Sequence, residues 1–191
     1  YQSFSTFAGN PYFIDLDTLI EAGLLLPADV TGNWGENPAR VDFGLIYARR
    51  LGVLRRAYQN ALLSEATRHR LTAFSQDNVN WLDDYALFMA LKDAFGGRPW
   101  SEWPEPLRQR DPSALWAYRA AHQDDIGFHR FVQMLFFEQW FALKRYANER
   151  GIQIIGDLPI YVPLDSADVW AKTPLFDLDE IQDVIDQYEE R

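Results

Sequence analysis

The stretch Gly151-Ile-Gln-Ile-Ile-Gly-Asp-Leu-Pro-Ile-Tyr-Val-Pro-Leu-Asp-Ser-Ala-Asp-Val-Trp170 decides how the rest of the chain is read. A glycine closes a long helical pattern, and Ile152, Ile154 and Ile155 follow as a short, β-branched run without polar alternation. Such a run is expected of a strand buried on both faces, as in a parallel sheet flanked by helices. Gly156-Asp157 ends it, and Pro159 and Pro163 forbid a regular ladder beyond. Asp157 then has two readings. It caps a turn, where aspartate is favoured, or it stands at the carboxyl end of a barrel strand, where α/β barrels keep their substrate chemistry.

Upstream of that stretch the pattern is helical. Tyr12–Leu16 reads as a short strand, Asp17 as the N-cap of a brief helix, and Gly23 as its end. Residues 27–40, rich in proline, glycine and asparagine, read as a loop. Apolar residues at helical spacing predict helices from Asp42, over 64–75, and from Asn80 to the Gly96-Gly97 stop. The proline- and tryptophan-rich segment 97–112 predicts an irregular but ordered connection. Asp111-Pro112 opens what reads as one helix over 113–150, whose face from Phe128 to Tyr146 is apolar enough to be buried. The tail 181–191 has amphipathic helical spacing. The sum is an α/β pattern: a strand, about a hundred residues of helix and loop, then a buried strand.

Composition narrows the chemistry. The 191 residues carry a net charge of −10, which disfavours nucleic acid and anionic membrane alike. No apolar run is long enough to span a bilayer, and with no cysteine there is no disulfide framework or thiolate site. Aromatic residues make up 15% of the chain; most serve the core, and a few facing a groove would suit sugar rings. His122 and His129, seven positions apart on one predicted helix, are too far apart to share an ion without a third group such as Asp125. No zinc-protease, phosphate-loop or serine-nucleophile motif occurs. Carboxylates remain, with Asp157, Asp165 and Asp168 clustered after the predicted strand, and paired carboxylates carry glycoside chemistry.

Four blocks say more. YQSFSTFAGNPYFIDLD at 1–17, VDFGLIYARR at 41–50, WLDDYALFMALKDAFGGRPWSEWPEPLR at 81–108 and ANERGIQIIGDLPIYVPLDSADVWA at 147–171 closely resemble the amylomaltases, the 4-α-glucanotransferases of the α-amylase clan. The resemblance implies a (β/α)8 barrel with a large helical insertion. This chain would supply an N-terminal-half fragment: a barrel segment around strand 2 at 1–30, the insertion at 31–150, strand 3 and its loop at 151–180, and an atypical tail at 181–191. The implied reaction moves a segment of an α-1,4-glucan to another glucan or glucose by retaining double displacement, with no cofactor or metal. The implied partners are α-1,4-glucans and maltooligosaccharides in the cytoplasm. By resemblance, Asp157 faces the donor sugar, Tyr1 lies near the cleavage subsites, and Tyr47 belongs to a secondary glucan site. The family's catalytic carboxylates lie in motifs resembling RIDHFRG, EDLG and THDN, none of which occurs here. The chain alone is therefore expected to be inactive. The alternative is a non-catalytic glucan-binding or helical interaction module, with the tryptophans of 97–112 among its contacts.

Overall fold

A computed structural model describes residues 3–32, 34–35, 39–157 and 161–176. Among these the chain is mostly helical and contains no strand. It divides into two compact units, one made of Gly9–Asp83 and Asp124–Asp157 and the other of the described residues of 1–8, 84–123 and 158–191.

The helices are α1 (Leu16–Glu21), α2 (Pro27–Val30), α3 (Phe43–Ala61), α4 (Glu65–Asp77), α5 (Val79–Ala94), α6 (Glu105–Arg108), α7 (Pro112–Ala121), α8 (Gln123–Glu149) and α9 (Ala167–Ala171). Short polar side chains set their starts. The Asp42, Ser64 and Asp111 side chains accept from the Leu45, Thr67 and Ala114 amides at the heads of α3, α4 and α7, satisfying donors that a helix cannot satisfy itself. Gly97, at φ +81, closes the end of α5 by donating to the Lys92 carbonyl at 2.7 Å, a left-handed cap that suits glycine.

In the larger unit α3 and α8 build the core. Leu54, Ala57, Tyr58 and Ala61 meet Phe128, Phe131, Val132, Met134 and Leu135, with Ile14, Leu16, Leu19, Leu24 and Leu25 in the same buried cluster. The Tyr58 ring lies 5.9 Å from Phe128 and 5.4 Å from Phe131. A side chain at Gly127 would meet the Tyr58 hydroxyl at 2.4 Å, so the approach requires glycine. Arg55 lies 3.9 Å over the Phe128 ring and pairs with Asp124 and Asp125 in the first turn of α8, where acidic groups also complement the helix dipole.

The smaller unit has a tryptophan core. Trp103 sits 5.3 Å from Phe88 and 5.6 Å from Trp170, and Trp170 is wholly buried. Each indole N–H finds a carbonyl: Trp100 that of Leu164, Trp103 that of Arg98, and Trp170 that of Leu107. Lys92, 4% exposed, donates to the carbonyls of Gly97 and Arg98 and to Asp165 at 2.6 Å.

Several expectations are corrected. Tyr12–Leu16 is not a strand: Asn10 caps a 3-10 turn over Pro11–Phe13, and Asp15, not Asp17, caps α1. Turn chemistry at Asn10-Pro11 overrides the β-propensity of the five residues that follow. Residues 152–155 are extended but form no strand, and Ile152, Ile154 and Ile155 are 58%, 38% and 92% exposed. A strand is held by its ladder, and among the described residues none lies beside this run. The helix expected over 113–150 is two, broken at His122, which caps α7 and stacks on Tyr118 with ring centroids 4.1 Å apart. The apolar face of α8 is buried only through Leu135, while Phe141, Leu143 and Tyr146 are exposed. A four-residue helix, α2, stands within the 27–40 loop. The tail 181–191 lies outside the described residues.

Candidate functional site

Tyr47 lies on the first half of α3, with its ring 57% exposed. Tyr12 stands 4.9 Å from it and Phe43 6.1 Å. The backbone places these rings together. Phe43 and Tyr47 are four residues apart on one helical face, while the Pro11–Phe13 turn brings Tyr12 to the same helix. The Arg50 guanidinium, one turn further along α3, donates to the Ile14 carbonyl and fixes that turn. Burial lowers the Arg50 pKa and Asp15 raises it. The result is an exposed aromatic surface on a rigid element, of the kind on which sugar rings stack.

Asp157 is the last described residue of the larger unit before residue 161 and is exposed. It follows the extended run directly, so a side chain from that run reaches the surface. Tyr1 lies outside the described residues, but the segment after it is firmly held. Asp168 accepts from the Ser5 hydroxyl at 2.9 Å, the Thr6 amide at 2.7 Å and the Thr6 hydroxyl at 2.9 Å. The Phe4 carbonyl accepts from the Ala167 amide at 2.8 Å, and the Phe4 ring lies 6.1 Å from Phe88.

These contacts divide the carboxylate cluster read from the sequence. Asp165 is occupied by Lys92 and by the Trp100 amide, and Asp168 by Ser5 and Thr6. Both hold the smaller unit together, whereas Asp157 belongs to the larger one. The tryptophans at 100 and 103 are 7% and 3% exposed, so they are core rather than sugar platforms. Sequence gave no sign of this, because a tryptophan in a proline-rich segment reads the same whether its ring faces in or out. What the sequence reading missed was the Tyr12–Tyr47–Phe43 grouping. The i, i+4 spacing of Phe43 and Tyr47 was the available signal.

Groups with displaced proton affinity lie elsewhere in the larger unit. Burial pushes the Tyr58 and Glu138 pKa values up, opposed at Glu138 by Arg70. The Leu26 amide holds the Asp29 carboxyl below its ordinary range against some desolvation, helped by Arg56. Each of these carboxylates faces an arginine, the arrangement of structural ion pairs rather than of an acid–base pair. His129 is buried, His122 caps α7, and His69 faces Glu65 at 3.6 Å. No three metal-ligating side chains converge among the described residues, and no described helix is long and apolar enough to cross a membrane.

Comparison with known proteins bears on this arrangement. Residues 1–184 match the protein family described as 4-alpha-glucanotransferase. The 4-alpha-glucanotransferase of Thermus thermophilus is 49% identical over 182 residues, which are 94% of this chain and 36% of that protein. That of Clostridium butyricum is 44% identical over 177 residues, 92% of this chain and again 36% of the relative. Among solved structures, the amylomaltase from Streptococcus agalactiae in complex with acarbose superposes with a TM-score of 0.89 at 41% identity, covering 92% of this chain and 36% of that one. The chain thus spans about a third of the length of the relatives it matches.

Proposed function

This chain belongs to the 4-alpha-glucanotransferase family, and from that premise we propose that it is part of an enzyme that cuts an α-1,4-glucan and passes the piece to another glucan or to glucose. The observation that carries the proposal is the family match over nearly the whole chain, at 49% identity to one enzyme of that name. The reaction is a retaining double displacement. A carboxylate attacks the anomeric carbon, a carboxylic acid protonates the leaving oxygen, and an acceptor hydroxyl takes the glycosyl group in the second half. The reacting carboxylates belong to the part of the family's length that this chain does not span. No metal or cofactor enters the reaction, and the protein works in the cytoplasm.

In this scheme the chain supplies binding groups. Asp157 faces the donor sugar at the end of a barrel strand formed by 152–155, and Tyr1 lies beside the cleavage subsites. The exposed Tyr47 ring, grouped with Tyr12 and Phe43, supports a second glucan contact away from the reacting centre. Residues 31–150 are the helical insertion of that barrel. Acarbose, the sugar bound by the Streptococcus agalactiae amylomaltase, is of the chemical class these groups would recognise.

The test is the product pattern. The complete enzyme incubated with maltotriose yields glucose and a ladder of longer maltodextrins; glucose and maltose alone would make it a hydrolase and refute transfer. The aromatic surface at Tyr47 also suits a glucan-binding module without catalysis. In that case the complete protein binds maltodextrin and releases no product.

A further inference from the structure

The second half of α8 presents an apolar surface that nothing in its unit covers. Leu143 and Tyr146 are 55% and 56% exposed, and Phe13 is 76% exposed. Phe13, Phe136, Trp140 and Leu143 line a groove of about 640 Å³ on this side. Its polar members are already occupied. The Gln139 amide exchanges two hydrogen bonds with the Asp15 backbone, at 2.7 and 3.0 Å, and the Asp15 carboxylate caps α1. A sugar needs open donors and acceptors, and this groove offers few. Its occupant is apolar.

The chain continues from α8 through Gly151 into Ile152–Gly156, which is extended and exposed. The backbone groups of 153–156 make no hydrogen bond to any described residue. A β-branched run with an open ladder calls for another strand. An apolar helix face beside such a run calls for the face of the same sheet.

We propose that the stripe from Phe13 along α8 to Ile155 is a docking surface for a single occupant, the sheet-bearing remainder of a 4-alpha-glucanotransferase polypeptide. The argument for that occupant is length: the relatives share one third of their chain with this one and carry the rest beyond it. The inference rests on the family reading above, but it concerns assembly rather than chemistry.

The test mixes this chain with a separate polypeptide comprising the part of the Thermus thermophilus relative that it does not match. A one-to-one complex by size exclusion with light scattering is expected, with new amide protection at 152–156. Leu143→Glu and Ile155→Glu together should weaken association by about tenfold or more, as losses at buried apolar anchors do, while the α3–α8 core keeps its protection. Absence of a complex, indifference to both substitutions, or self-association through this face at the same concentration would overturn the proposal. A single-chain chimaera, in which this chain replaces the matched third of the relative, provides a second readout that does not depend on the separate piece folding. The proposal fails if residues 152–156 exchange freely in it or if it does not fold. Docking without maltodextrin products would refute the transferase reading alone.

Discussion

Asp168 illustrates what a carboxylate does here when it is not a reactant. It gathers the Ser5 hydroxyl and both donors of Thr6 across more than 160 positions of sequence, so one side chain ties the amino-terminal segment to α9. Hydrogen bonds to an ionised group are worth about 1.5–3 kcal/mol each. Asp168→Ala should therefore abolish slow exchange of the Thr6 amide while leaving the α3–α8 core protected, as read by hydrogen exchange. Asp29 gives a prediction in pH. The Leu26 amide, then Arg56 against desolvation, hold its carboxyl below the ordinary 3.8, so the folded state favours the ionised form. Its contribution to stability is complete above pH 3.8 and is lost as pH falls through the lowered folded value. Melting curves of Asp29→Asn should lie below the parent at pH 7 and converge with it on acidification past that range. A gap that persists at low pH would mean that the charge is not the cause.

At the scale of elements, the α3–α8 contact carries the larger unit. Phe131 is fully buried and packs on Tyr58, so Phe131→Ala should cost about 3–5 kcal/mol, measured by urea unfolding. Gly127→Ala tests the close approach of the two helices, since the added carbon must displace the Tyr58 hydroxyl. A cost of roughly 1–3 kcal/mol is expected from overpacking. These helices were legible in sequence because each start carries its own chemistry, Asp42, Ser64 and Asp111 being cap residues whose action is local. The break at His122 was not legible. No glycine or proline marks it, and the acidic pair at Asp124-Asp125 could as well have been a solvated helix face. The run at 152–155 was read as a strand from its composition, but a strand is a property of two segments, and its partner is absent from the described residues. Tyr47 was singled out by resemblance alone. Its ring neighbour Tyr12 comes from a turn that sequence had assigned to a strand, so their grouping could not be read ahead of the structure.

For the whole molecule, the two units answer different needs. The tryptophan unit spends its carboxylates, its buried lysine and its indoles on its own cohesion. The α3–α8 unit keeps an exposed aromatic group at Tyr47 and an exposed carboxylate at Asp157. A chain with those surfaces and without the family's reacting carboxylates should bind glucan without turning it over. Calorimetric titration of the purified chain with maltoheptaose, alongside chromatography of the sugar recovered afterwards, measures both halves of that statement. The account predicts saturable binding that weakens about tenfold in Tyr47→Ala, as loss of a stacking ring implies, and maltoheptaose recovered intact. No saturable heat, or shorter and longer maltodextrins in the recovered sugar, would contradict it.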